Sequence, residues 1–152
     1  MTQGTRRDES GEALAERLAS MGFKVERGAV PDDIEAIASE VAARSATVRL
    51  IVATGGTGLG LRDVTPQAVA PLLEYTIPGF GEQMRAAGRR STPLADLSRS
   101  LAGVRGRCLI VCVPGSPSGA VESIDALAPL LDHALETLGG RTGHAHPPGE
   151  GE

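Results

Sequence analysis

The chain has 152 residues, 41% of them hydrophobic, which suits one domain with a single core. With a net charge of -4, no Trp, one Tyr and two Phe, it lacks the basic face and stacking rings of a nucleic-acid binder, so that class is excluded. No apolar run approaches the roughly 20 residues of a membrane span, and no charged-apolar-small leader precedes the first helical pattern; the expectation is a cytoplasmic protein with no membrane partner.

In chain order, Ser10 is the expected N-cap of a helix carrying Leu14, Leu18 and Met21 at helical spacing, and Gly22 closes it. Phe23 to Val30 reads as a short strand. Pro31-Asp32-Asp33 opens the next helix, with Asp32 as N-cap, Glu35 three residues on in the manner of a capping box, and Ile34, Ile37 and Val41 inward. After a turn at Arg44 to Thr47 come Val48, Leu50, Ile51 and Val52, the composition of a strand covered on both faces, which breaks at Thr54-Gly55-Gly56-Thr57-Gly58. Arg62-Asp63 follow, then Thr65-Pro66, a hydroxyl cap with proline at the first helical position, predicting a helix through Tyr75.

Pro78-Gly79 separates that helix from another holding Glu82, Met84 and Arg85. Gly88 to Thr92 is a basic connection, Pro93 to Leu97 one helical turn, and Ser98 to Val104 with Cys108 to Val113 a hairpin about Gly106. Cys108 and Cys112 point to one face of that last strand, too far apart to bond each other, and read as buried thiols without the further ligands a metal needs. Ser116 as N-cap and Pro117 at the first position launch the longest helix, striped by Ile124, Leu127, Leu131, Leu135 and Leu138 and ended by Gly139-Gly140. Residues 1–140 are therefore expected to form the domain. Arg141 to Glu152 is expected to be a disordered tail, whose His144 and His146 are not expected to hold metal. Strands alternating with helices of about a dozen residues imply an α/β fold, three layers with a mostly parallel sheet flanked by helices.

The loops Thr54 to Thr65 and Pro114 to Ser116 both fall at carboxyl ends of strands and before helix N-termini, where open parallel sheets place ligands and bare N–H groups favour phosphate. GGTGLGLRD has no Lys-Ser/Thr for a P-loop and no glycine triplet at dinucleotide spacing. The loop thus binds an anion by another scheme or simply turns. Asp32 is explained as a helix cap, whereas Asp63 has no such explanation. If the two converge, they hold Mg²⁺ against a polyphosphate while Arg62, Arg85 or Arg99 neutralise the remainder. Ser98 and Ser116 are either ligand hydrogen-bonders or structural. His133, on the last helix, reads as surface or packing, which leaves no Ser-His-Asp arrangement.

At DESG (from Asp8), PDD (Pro31), TGGTG (Thr54) with RDVTP (Arg62), PGFGEQMR (Pro78), TPLADLSR (Thr92) and PGSP (Pro114), the chain resembles the MogA/MoaB family of molybdenum-cofactor biosynthesis proteins. The resemblance covers Arg7 to Gly139 and implies a molybdopterin-binding fold assembled as a homotrimer or a dimer of trimers. In the adenylyltransferase branch, ATP adenylylates the terminal phosphate of molybdopterin with Mg²⁺, releasing pyrophosphate. That branch's acids match Asp32 and Asp63, which the resemblance implies as catalytic and metal-holding. Thr54, Gly55, Gly56, Thr57, Gly58 and Arg62, with Ser98, Gly115 and Ser116, match the nucleotide and pterin segments. MoaB-type members also admit an alternative, a non-catalytic molybdopterin-binding scaffold.

Three departures stand out. Met1 falls inside the loop that holds Asp8 and Gly11, so the family's first strand is expected to be lacking, which implies a start codon placed too far downstream. Leu59-Gly60-Leu61 replaces a commoner proline or basic residue before Arg62-Asp63. Gln67 replaces a commoner acid in the first helical turn.

Overall fold

The computed structural model describes residues 8–140. In chain order they form α1 (Glu9–Ser20), α2 (Ile34–Ser45), β1 (Leu50–Thr54), α3 (Thr65–Val69), β2 (Tyr75–Thr76), α4 (Pro78–Arg89), β3 (Leu101–Arg105), β4 (Cys108–Val113) and α5 (Pro117–Leu138). Short 3₁₀ turns follow α3 at Ala70–Leu72 and precede β3 at Pro93–Leu97. No helix among the described residues is long and apolar enough to cross a membrane.

The sheet has four strands in the order β1-β4-β3-β2. β1 runs parallel to β4, from Leu50 opposite Leu109 to Thr54 opposite Val113, while β3 pairs antiparallel with both β4 and β2. The sheet is therefore mixed, which corrects the expectation of a mostly parallel one. The hairpin about Gly106 is the cause: its φ of 62° permits a tight reversal, and a tight reversal makes β3 and β4 antiparallel.

Alternation along the strands divides the core between the two faces. Leu50, Val52, Leu109, Val111 and Val113 pack with Leu14 and Leu18 of α1, Phe80 and Met84 of α4, and Ile124, Leu127 and Leu131 of α5. Ile51, Ala53, Cys108, Ile110 and Cys112 face Ile37 and Val41 of α2 and Ala68 and Val69 of α3. Three helices thus cover one face and two the other, the expected three layers.

Helix ends follow local chemistry, with four corrections. α1 is capped by Asp8, whose Oδ1 accepts from the Gly11 N–H at 3.0 Å, and not by Ser10, which is buried in the first turn. It ends as expected at Gly22 (φ 99°): the Gly22 N–H donates to Ala19 O and the Phe23 N–H to Leu18 O, a Schellman arrangement in which Phe23 and Leu18 share the core. α2 is capped by Asp33 rather than Asp32, since Asp33 Oδ2 accepts from the Ala36 N–H at 2.8 Å. The predicted helix from Pro66 to Tyr75 is shorter, because the chain tightens into the 3₁₀ turn Ala70–Leu72 and becomes extended at Leu73 (ψ 136°), giving β2.

The fourth correction concerns Phe23 to Val30, which forms no strand. Phe23 and Val25 still turn alternately into the core, yet a strand requires a ladder. Among the described residues no backbone group from Lys24 to Val30 bonds another backbone group. Among the same residues no strand precedes β1, whose single partner there is β4. Ser116 caps α5 as expected, its Oγ accepting from the Gly119 N–H at 3.0 Å. The predicted tail, with His144 and His146, lies outside the described residues.

Candidate functional site

β1 and β4 end side by side, so the loops that follow them meet. The Gly55 N–H donates to Val113 O at 3.0 Å, and a Cβ added to Gly115 would stand 3.2 Å from the Gly55 Cα. Gly55 has φ 92° and Gly56 φ 70°, a left-handed pair that turns the chain across the strand ends. A Cβ on Gly56 would strike Thr65 Oγ1 at 2.2 Å, and one on Gly58 would meet Asp63 Oδ2 at 2.9 Å. The glycines are thus required first by backbone geometry and close approach.

Two helix starts converge on this seam. The Ser10 hydroxyl, in the first turn of α1, shares a 3.0 Å hydrogen bond with Thr54 Oγ1 at the end of β1. Gly115 and Ser116 lead directly into α5. Unsatisfied N–H groups and the dipoles of α1 and α5 therefore lie at the carboxyl ends of adjacent parallel strands, an arrangement that favours an anion. Thr57 in this loop and Thr65 at the start of α3 are buried, and neither hydroxyl has a protein hydrogen-bond partner among the described residues. Burying a hydroxyl unpaired is costly, and a ligand oxygen would relieve that cost.

The charged residues are placed unequally. Asp63 is half-buried; its Oδ2 accepts from the Gly60 N–H at 2.8 Å, folding the loop tip on itself and leaving Oδ1 available. Arg62 is exposed and makes no ion pair among the described residues. Asp32 is exposed and, with the capping done by Asp33, no longer has a structural explanation. Val30 and Val64, close in sequence to Asp32 and Asp63, rest on the same apolar cluster, so the two acids lie on one side of the sheet. No hydrogen bond joins them, and no group of three His, Cys, Asp or Glu among the described residues is arranged to hold a metal.

Ser98 Oγ and Ser100 Oγ share a 2.8 Å hydrogen bond beside this loop. Arg85 and Arg99 are already engaged in hydrogen bonds, all of them to neutral acceptors. Arg85 donates to the carbonyls of Ser98 and Ser100, and Arg99 donates to those of Gly58 and Asp63 and to the Gln67 side chain. The Arg85 contacts span 13 and 15 positions and those of the Arg99 side chain 32 to 41, and no local pattern announces them. A cavity of about 430 Å³ between α4 and α5 and another of about 240 Å³ at Arg85 and Ser100 include no residue of the glycine loop. Burial raises the thiol pKa of Cys108 to about 11 and of Cys112 to about 12, so both are inert neutral thiols, as expected.

The sequence profile of a probable molybdopterin binding domain matches residues 1–133. A molybdenum cofactor biosynthesis bifunctional protein of Chlorobaculum tepidum is 40% identical over 144 residues, 93% of this chain and 46% of that protein. The molybdopterin adenylyltransferase of Helicobacter pylori is 40% identical over 89 residues, 59% of this chain and 51% of that protein. The Escherichia coli molybdopterin adenylyltransferase is 35% identical over 132 residues, 83% of this chain and 67% of that protein. The chain spans about half the length of the first two of these relatives. Among solved structures, the molybdopterin biosynthesis enzyme MoaB of Thermus thermophilus superposes with TM-score 0.80 at 45% identity, covering 90% of this chain and 88% of that one. The Mog protein of Mycobacterium ulcerans superposes with TM-score 0.83 at 35% identity over 92% of each chain. By profile, sequence and fold, the chain belongs to the MogA/MoaB family of molybdopterin-binding proteins of molybdenum-cofactor biosynthesis.

Proposed function

We propose that this chain is a molybdopterin adenylyltransferase, which transfers AMP from ATP to the terminal phosphate of molybdopterin and releases pyrophosphate. The observation that carries the reading is the seam itself: the Gly55 and Gly115 backbones in contact, the starts of α1 and α5 beside them, and Asp63 at the rim. Such a floor suits two phosphate-bearing substrates brought end to end. Phosphoryl and nucleotidyl transfer depend on positioning and charge stabilisation and require no protein nucleophile. The naming of the H. pylori and E. coli relatives as molybdopterin adenylyltransferases supports the same activity.

In this reading Thr54 to Gly58 and Gly115 present backbone N–H groups to phosphate, Thr57 and Thr65 give their unpaired hydroxyls to ligand oxygens, and Arg62 supplies the exposed positive charge. Ser98 lies beside the floor and hydrogen-bonds the pterin side, while the hydroxyl of Ser116 is occupied in capping α5, so its loop contributes backbone rather than side chain. Asp63 and Asp32 are the residues that would hold Mg²⁺. Two carboxylates with phosphate oxygens and water form a donor set that suits this hard cation, which keeps several waters and seldom needs a dedicated protein cage. When bound, Mg²⁺ neutralises charge on the triphosphate. The exposed Leu94, Leu97 and Leu130 offer apolar surface for the expected homotrimer or dimer of trimers.

Incubation of the protein with molybdopterin and Mg-ATP, followed by measurement of pyrophosphate, tests the proposal. Pyrophosphate release that depends on all three components is the expected result. Tight pterin binding with none released would establish the scaffold reading instead.

A further inference from the structure

We propose that Arg99 is the positioning residue of the glycine loop, a clamp that ties both arms of the loop to the segment preceding β3 and thereby sets where the Asp63 carboxylate stands. The catalytic part of this inference rests on the adenylyl-transfer reading; the structural part does not.

The loop between β1 and α3 is long and irregular, and its internal bonds do not anchor its tip. Asp63 N–H donates to Gly60 O at 3.1 Å and Gly60 N–H to Asp63 Oδ2 at 2.8 Å, which closes the tip upon itself. Leu59 and Leu61 on that tip are 68% and 101% exposed, so no apolar contact holds it. The link to the rest of the molecule is made by Arg99. Its backbone N–H donates to Thr57 O at 2.8 Å and its Nε to Gly58 O at 2.9 Å, both before the tip. One terminal nitrogen donates to Asp63 O at 2.6 Å, after the tip, and the other to Gln67 Oε1 at 3.1 Å, in the first turn of α3.

Only a planar fork of donors fits acceptors so disposed; an ammonium on a flexible stem satisfies one or two of them at a time. Arg99 is itself braced. Arg85 of α4 donates to Ser100 O at 3.0 Å and Ser98 O at 3.4 Å, and the two serine hydroxyls bond each other. The brace therefore runs from α4 through Ser98–Ser100 to the loop. Because every acceptor of the Arg99 side chain is neutral, its charge is not cancelled by a carboxylate among the described residues, which suits a place beside phosphates.

The test compares Arg99→Ala and Arg99→Lys with the wild-type full chain, by amide hydrogen exchange over Thr57 to Asp63 and by steady-state pyrophosphate release. In Arg99→Ala the loop amides should exchange about tenfold faster while those of β4 and α5 are unchanged. Its kcat should fall about 10²-fold with a much smaller change in the KM for ATP, as expected when a reacting group is misplaced rather than removed. Added guanidinium should restore part of that kcat, and Arg99→Lys, which keeps the charge without the fork, should remain impaired. Unchanged loop exchange in Arg99→Ala, or a Lys variant equal to wild type, overturns the proposal. If Arg99→Ala does not fold, Gln67→Ala removes one acceptor alone; it should quicken the same amides by a smaller factor, and no change in it also overturns the clamp. Should the wild type release no pyrophosphate, the adenylyl-transfer reading fails while the exchange measurement still decides the role of Arg99.

Discussion

β1 and β4 are parallel neighbours of similar composition, yet the molecule treats them differently. All six residues of β4 are buried and all five of β1 are half-buried. β4 has a strand on each side, whereas β1 has one on a single side among the described residues. Their loops differ in the opposite sense. β4 passes through Pro114 to Ser116 straight into a capped helix of 22 residues. β1 leads into a long loop that must be tied back by Arg99 and folded by Asp63. One strand end serves architecture and its neighbour carries the charged groups.

The division predicts that stability and activity separate between the two strands. The largest effect should come from Asp63→Asn, with AMP transfer falling by about 10³-fold or more, comparable to loss of a main charge-stabilising group. Molybdopterin binding, followed by pterin fluorescence, should be largely preserved; a variant that still turns over would sink the assigned role. Next, Ile110→Ala in β4 should cost about 3 kcal/mol in urea unfolding. Its partner in register, Ile51 of β1, is half-buried, so Ile51→Ala should cost about half as much. Equal losses would erase the distinction.

Gly56→Ala should cost about 2 kcal/mol, since it combines a φ of 70° with a collision against Thr65 Oγ1. Ser116→Ala, at the simpler strand end, should cost about 1 kcal/mol by loss of the α5 cap, with kcat preserved. The smallest effect at neutral pH concerns the thiols. Burial raises the folded pKa of Cys108 to about 11 and of Cys112 to about 12, above the ordinary value of 9.0, so the folded state favours the protonated form. The resulting stability is present in full below pH 9 and is lost as pH rises toward 12. Iodoacetamide at pH 8 should label neither cysteine in the native protein and both in denaturant; native labelling would show that β4 opens.

Much of this was legible because local chemistry decided it. Ser116-Pro117 announces the start of α5, Gly22 the end of α1, and Gly106 the hairpin, and each stands where expected. Where two neighbours can do the same work the sequence is ambiguous: Asp32 and Asp33 are both fit to cap α2, and which does so depends on the Asp33 N–H folding back to Pro31 O. Phe23 and Val25 keep the alternation of a strand without the ladder that would make them one, because pairing is not a local property. Arg99 illustrates the same limit at the site. An arginine beside serines reads as a phosphate ligand, and only the folded chain brings Gly58 and Asp63, 41 and 36 residues away, under its guanidinium.

The contact between Gly55 and Gly115 has a further consequence for the thermodynamics of binding. A floor made where two glycine backbones approach closely has no rotamers to freeze, and the Gly55 N–H bond to Val113 O ties it to the end of β4. A ligand settling there loses little protein entropy at its centre, and the cost of ordering falls on the rim, on the exposed Leu59 to Arg62. In the proposed site, affinity would then be set by the floor, and selectivity between similar phosphates by the cost of ordering that rim.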